Sequence, residues 1–382
     1  MPSIVVVLGT RPEAIKLAPV ILAARARPGV TVTVCNTGQH ADMTAGVLSL
    51  FGIAPDVDLA VMRPRQSLTG ITGAVLQALE PVLVARRPDW LVVQGDTTSA
   101  FAAALAAFYA RIPVAHVEAG LRTGDIHAPW PEEMNRLLIT DVARLHFAPL
   151  ESNSANLRRE GVPAERIVVT GNTGIDALKW IAGRLAADKP LADRAQAALD
   201  ATKVAALRAG AGAQIVLITG HRRESFGEGF RSICAALAEL ARRFPERHFV
   251  YAVHPNPEVR ETVQRELGGR LANVHLVEPL DYLPFVLLMT RAELILTDSG
   301  GIQEEAPSIG KRVIVLRRVT ERIEGVETGL IRLAGTDRAQ IVADATAALD
   351  GRWPAKPTGS DVYGDGAAAA RIVEALAAAP RG

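Results

Sequence analysis

The chain has 382 residues, 49% of them hydrophobic and 22% charged, a length that favours two cores over one. A formal net charge of +1 gives no global bias toward nucleic acid or membrane, so a bound anion needs a local cluster of cations. The two cysteines, Cys35 and Cys234, lack metal-ligand spacing and read as buried free thiols in a reducing compartment.

The first apolar run, 3–8, is interrupted at Arg11, and the Ala-rich stretch 100–109 ends before Arg111. Both are shorter than the roughly 20 apolar residues that span a bilayer. With no signal-type cleavage site after the first run, a cytoplasmic protein is expected. Strands are predicted at 3–8, 31–36, 90–94, 113–118, 144–148 and 166–170. A second set follows at 214–219, 247–253, 273–277, 293–297 and 312–316. Several are apolar on successive residues, as in parallel sheets covered on both faces. Helical patterns such as 97–110, 227–243 and 338–349 separate them, so the βαβ pattern occurs twice. Segment 181–212 is helical without a strand signal and is expected to hold the domain boundary. The predicted class is α/β, with two doubly wound Rossmann-like domains, 1–180 and 205–366, facing each other across a ligand-binding cleft. A last helix within 367–382 is expected to pack back on the first domain.

Parallel sheets bind ligands at the carboxyl ends of their strands. After the first strand comes Gly9-Thr10-Arg11-Pro12-Glu13-Ala14-Ile15-Lys16, a helix start with two cations that could equally be solvated. Asp96, after strand 90–94, suits an ordinary helix N-cap as well as a chemical role. Glu118 ends strand 113–118, where a buried carboxylate is unusual. Glu132 and Arg136 share a helix face at i,i+4, which a surface ion pair would also explain. In the second half, His221-Arg222-Arg223 follows a buried strand and concentrates positive charge, whereas His254 fits a plain loop equally well. Asp298-Ser299-Gly300-Gly301 opens a helix whose small residues let backbone N–H groups reach a phosphate, and Glu305 on that helix can reach ribose hydroxyls.

Taken in order, GTRPEAIK (9–16), QGDTTS (94–99), HVEAGLR (116–122), PWPEEMNR (129–136), GHRRESFG (220–227), TDSGGIQEEAPSIGK (297–311) and TERIEGVETG (320–329) resemble the bacterial non-hydrolysing UDP-N-acetylglucosamine 2-epimerases end to end. The resemblance implies a glycosyltransferase-B fold and a catalytic group of Asp96, Glu118, Glu132 and His221. It implies that Arg11, Lys16, Arg136, Ser299, Gly300, Gly301 and Glu305 hold the nucleotide, with Phe285 near the uracil. A second UDP-sugar, bound as an activator in some members, would meet Gln39, Arg65, Glu132, Arg222 and His254. Two departures stand out: Asp42 occupies a position expected to carry an amide, and Ile323 sits where the family usually has Pro, in what reads as a loop.

The expected reaction is reversible inversion at C2 of UDP-N-acetylglucosamine, by anti elimination of UDP and re-addition through 2-acetamidoglucal. The alternatives are the same chemistry on a modified UDP-N-acetyl sugar, or sugar transfer by a glycosyltransferase of this fold. Neither metal nor redox cofactor is expected. The expected partners are UDP-sugar and UDP, with no nucleic acid or membrane, and a homodimer is what the resemblance suggests.

Overall fold

A computed structural model describes residues 2–63, 65–220, 227–320, 322–353 and 360–379. It divides into two compact units, Met1–Ala177 with Gly364–Gly382, and Leu178–Tyr363.

In the first unit the chain runs β1 (Ser3–Leu8), α1 (Arg11–Ala26), β2 (Thr31–Asn36), α2 (Ala41–Leu50) and β3 (Val57–Asp58). It continues through α3 (Leu68–Arg86), β4 (Trp90–Gln94), α4 (Thr98–Tyr109) and β5 (Val114–Val117). Next come α5 (Glu132–Val142), β6 (Ala143–Ala148), α6 (Glu151–Arg159), β7 (Ile167–Val169) and α7 (Thr173–Ala187). The division falls inside α7, between Ala177 and Leu178. The second unit holds α8 (Lys189–Asp200), β8 (Ile215–Gly220), α9 (Glu228–Arg243), β9 (His248–Val253), α10 (Pro257–Leu267) and β10 (Val274–Val277). It ends with α11 (Tyr282–Arg291), β11 (Ala292–Thr297), α12 (Gly300–Ser308), β12 (Arg312–Val315), α13 (Ile323–Glu327), β13 (Ile331–Leu333) and α14 (Arg338–Leu349). The terminal helix α15 (Ala368–Ala378) belongs to the first unit and packs on α1. Segment 181–212 contains α8, which packs on α11 of the second unit.

Both sheets are parallel, with strand orders β3-β2-β1-β4-β5-β6-β7 and β10-β9-β8-β11-β12-β13. Each order reverses direction once, between β1 and β4 in one sheet and between β8 and β11 in the other. Such a switch point is where a doubly wound sheet opens a crevice beyond its strand ends. Val5, Val7, Leu91 and Val93 bury one face of the first sheet beneath α3 and α4, and Val216, Ile218, Leu294 and Leu296 do the same in the second. Cys35 and Cys234 are buried free thiols in separate units.

Helix α3 is long and apolar enough, by length and composition, to cross a membrane, a segment that the reading of 3–8 and 100–109 passed over. In the fold its Ile71, Val75, Leu79 and Leu83 stripe is buried in the first core, and the helix packs on α4.

Gly120 closes the turn after β5 at φ +88°, and a Cβ there would stand 2.3 Å from the Asn153 carbonyl oxygen. Gly120→Ala is therefore expected to destabilise the protein by about 3 kcal/mol or more, through both backbone strain and a clash with backbone. Urea unfolding of the variant measures this; an unchanged midpoint would show that α6 yields freely.

Candidate active site

The turn after β1 begins at Gly9, where a Cβ would meet Thr37 Oγ1 at 1.9 Å. Thr10 caps α1, and Glu13 answers in a capping box. Arg11 is exposed at the first helical position, and Lys16, one turn further along, forms a salt bridge with Glu118. Gln94, the buried last residue of β4, donates its amide to the other oxygen of Glu118. Glu118 itself adopts a left-handed backbone at φ 65°. For a residue with a Cβ this conformation is uncommon, and its concentration at functional sites makes it informative here.

Asp96 does not cap α4. Thr97 does, accepting from Ala100 N at 3.0 Å, so the plain N-cap explanation for Asp96 fails. Asp96 instead receives Arg136 through Nε at 2.8 Å and a terminal nitrogen at 2.7 Å. Burial pushes the Asp96 carboxyl above its ordinary range; Arg136 opposes this and the charge of Glu118 adds to it. Arg136 also meets Glu133 at 2.8 Å, and Glu133 accepts from Thr123 N and Gly124 N at 3.0 and 3.1 Å. The i,i+4 pairing of Glu132 with Arg136 read from the sequence is thus replaced by an i,i+3 pair from Glu133. Glu132, first residue of α5, keeps a buried Oε2 without a hydrogen-bond partner among the described residues. A buried acceptor left open in this way suits a ligand group better than a structural role.

His116 is fully buried and bonds the Gly95 carbonyl through Nε2 at 2.7 Å, fixing the peptide before Asp96. Burial pushes its imidazole down to about 4. Burial and then the neighbouring His116 take His146, its partner across β5 and β6, to about 3. A free histidine titrates near 6.5, so below that pH the unfolded chain takes up protons that the folded chain refuses. This stability is complete above about 6.5 and is lost as pH falls toward 4, by on the order of 2 kcal/mol per histidine at pH 5. Denaturation at pH 7 and pH 5 should show a flatter pH dependence in His116→Gln than in the wild type. Equal slopes would place the acid sensitivity elsewhere.

In the second unit, α12 starts directly beyond β11 at the switch point, with Ser299 as N-cap and no side-chain capping bond. Thr297 Oγ1 accepts from Ser299 N at 3.0 Å, and Gln303 donates to the Ser299 carbonyl at 3.3 Å, so the turn is held from below. Arg322, absent from the sequence-derived set, lies over this turn. A Cβ on Gly300 would stand 2.6 Å from its Cζ, and Glu304 holds its Nε at 2.7 Å. Glycine at 300 therefore makes room for a guanidinium, itself paired with Glu304, beside the positive end of a helix, where an anion can be received. Tyr282 is buried, and the charge of Glu305 adds to the rise that burial imposes on its hydroxyl. Phe285 stands one turn further along α11, half-buried.

The family model for UDP-N-acetylglucosamine 2-epimerase matches residues 22–377. The chain belongs to the UDP-N-acetylglucosamine 2-epimerase family. It is 50% identical over 379 residues to the Escherichia coli K12 enzyme of that name, covering 98% of each chain. Among solved structures it is similar to the Neisseria meningitidis UDP-GlcNAc 2-epimerase bound to UDP-GlcNAc, with TM-score 0.88, 44% identity, and 98% and 99% of the two chains covered. It is also similar to the Methanocaldococcus jannaschii enzyme in complex with UDP-GlcNAc and UDP, with TM-score 0.80, 31% identity, and 99% and 100% covered. The expected fold class and enzyme class both hold.

Of the expected catalytic group, Asp96 and Glu118 share the first switch point with Lys16 and Arg136, while His221 lies outside the described residues, as does Arg222. Of the expected activator site, Gln39 is engaged by the Ser99 hydroxyl at 2.6 Å, Arg65 is exposed at φ 58°, and His254 is exposed, its Nδ1 accepting from Asn256 N at 3.2 Å. Ile323 is the first residue of α13 rather than part of a loop. Proline is favoured at that helix position, so its absence costs backbone stiffness and no hydrogen bond.

Proposed function

We propose that this chain interconverts UDP-N-acetylglucosamine and UDP-N-acetylmannosamine by eliminating UDP to give 2-acetamidoglucal and adding it back on the opposite face. The observation that carries the reading is the part-buried pairing of Lys16 with Glu118 and Arg136 with Asp96 at one switch point. The C2 hydrogen of a sugar is not acidic. As the bond to UDP breaks, positive charge develops at C1 and the ring oxygen and makes that hydrogen removable. Glu118 and Asp96 then serve as base and acid on the two faces, with Glu132 as the third proton-handling group. Burial raises Asp96 above the ordinary carboxyl range, which suits it to the acid role, while Glu118 meets the ammonium of Lys16.

The leaving diphosphate is assigned to the start of α12, at Ser299, Gly300 and Gly301 beside Arg322, and Arg11 keeps the role that the sequence resemblance implies. Glu305 accepts from the ribose, and Phe285 lies beside the uracil. His221 keeps the role that the sequence resemblance implies. The catalytic carboxylates are thus assigned to the first unit and UDP binding to the second. A homodimer is the proposed assembly, consistent with exposed Val84, Phe108 and Tyr109 at the C-terminal ends of α3 and α4. The cytoplasm is the proposed compartment, in keeping with two free thiols.

Incubation with UDP-N-acetylglucosamine alone, without acceptor or nicotinamide, should yield the 2-epimer by NMR. A parallel panel altered at C3 or C6 of the sugar identifies the preferred substrate. Conversion of none of them would sink the proposal.

A further inference from the structure

We propose that Glu13 is a positioning residue that sets Asp96 and the Arg11 turn relative to each other, an inference that rests on the epimerase reading above. Glu13 Oε2 accepts from Gly9 N at 2.9 Å and Thr10 N at 2.7 Å. Its Oε1 accepts from the Thr97 hydroxyl at 2.6 Å, across 84 residues of sequence. Thr97 caps α4 and follows Asp96 directly. One carboxylate therefore ties together the starts of α1 and α4, the two helices that leave the switch point.

An ordinary capping box explains only the first half of this. Such a glutamate sits in water and bonds its own N-cap. Capping by Asp337 on α14 is of that exposed, local kind. Glu13 is 1% exposed, and three donors surround it. Burial raises the Glu13 carboxyl above its ordinary range and the three donors act against that rise, so losing any one of them is costly and the cage resists deformation. A shift of about 1 Å at a reacting group can cost about 100-fold in rate. The turn that carries Asp96 is fixed by Glu13 through Thr97, by His116 through Gly95, and by Asn135, whose amide donates to the Asp96 carbonyl at 2.8 Å. Glu13 alone among these also holds the opposite turn.

The test compares Glu13→Ala, Glu13→Gln and Thr97→Val in the full chain, with kcat, KM and folded fraction measured for each. Glutamine can keep every link: its carbonyl accepts from Gly9 and Thr10, and its amide donates to the Thr97 oxygen. Glu13→Ala should lower kcat about 100-fold per folded molecule with a smaller change in KM, and Glu13→Gln should recover at least tenfold of that loss. Thr97→Val should lower kcat too, and combining it with Glu13→Ala should add little further loss. A merely structural Glu13 would lower the melting temperature and leave kcat of the folded enzyme within about threefold. That result, or additive losses in the double variant, overturns the proposal. If Glu13→Ala does not fold, Thr97→Val decides: an unchanged kcat overturns the proposal as well. A wild type with no turnover sinks the epimerase reading and this one together, whereas an active wild type with indifferent variants sinks only this one.

Discussion

Glu118→Gln is expected to lower kcat by about 1,000-fold while UDP still binds with nearly unchanged affinity. Positioned acid–base groups contribute about 100- to 10,000-fold, and Glu118 has contacts that an amide meets only if a neighbour turns over. Lys16 donates to one oxygen and Gln94 to the other. The new NH2 faces either the Lys16 ammonium, which only donates, or Gln94, which must turn its own amide over to accept. Asp96→Asn escapes that conflict, because Arg136 spends two nitrogens on a single Asp96 oxygen and the amide oxygen can take that place, so its loss of turnover reports the missing proton carrier itself. Glu305→Ala should do the opposite, weakening UDP binding most, because its assigned ribose contact is remote from C2. Calorimetry with UDP and steady-state rates separate the two classes. If Glu118→Gln bound UDP poorly and turned over normally when saturated, the carboxylate would be a nucleotide ligand and the division of labour would be reversed.

The strands were legible because a parallel sheet covered on both faces leaves continuous apolar runs. The two missed strands, β3 (Val57–Asp58) and β13 (Ile331–Leu333), are short edge strands interrupted by Asp58 and Arg332, so no run forms. Asp96 and Glu118 were legible because they follow strand ends, and Arg136 because it stands in the first turns of a helix opened by Pro131. Their partners were less so. Thr10 and Glu13 carry capping-box spacing, a signal for a helix start, but nothing local shows that Glu13 also reaches Thr97. Glu133 was overshadowed by Glu132, since helix periodicity favours the i,i+4 partner of Arg136 and the loop at Thr123 and Gly124 instead draws its neighbour inward. Arg322 reaches Gly300 from beyond β12, a contact that only the folded sheet creates.

Product formed in deuterated water should carry deuterium at C2 in nearly every molecule. In the proposed reaction, elimination hands the C2 hydrogen to a carboxylate, and re-addition draws a hydrogen from a group on the other face. Inversion therefore needs two proton carriers unless one swings across the ring. Asp96 and Glu118 are held too firmly for that: Arg136 fixes the first, and Lys16 with Gln94 fixes the second. Both carboxylates remain partly open to solvent, with side-chain exposures of 27% and 15%, so their protons exchange before delivery. Recovered substrate should label more slowly than product, because returning to it requires the first group to act again. Free UDP and 2-acetamidoglucal should accumulate slowly, since release of the intermediate competes with re-addition. Oxidation and re-reduction through a bound carrier would instead return the original hydrogen and release no glycal. Mass spectrometry and proton NMR of the 2-epimer decide the matter. Product retaining its C2 hydrogen would require one shielded group to serve both faces, and the assignment of separate acid and base to Asp96 and Glu118 would fall.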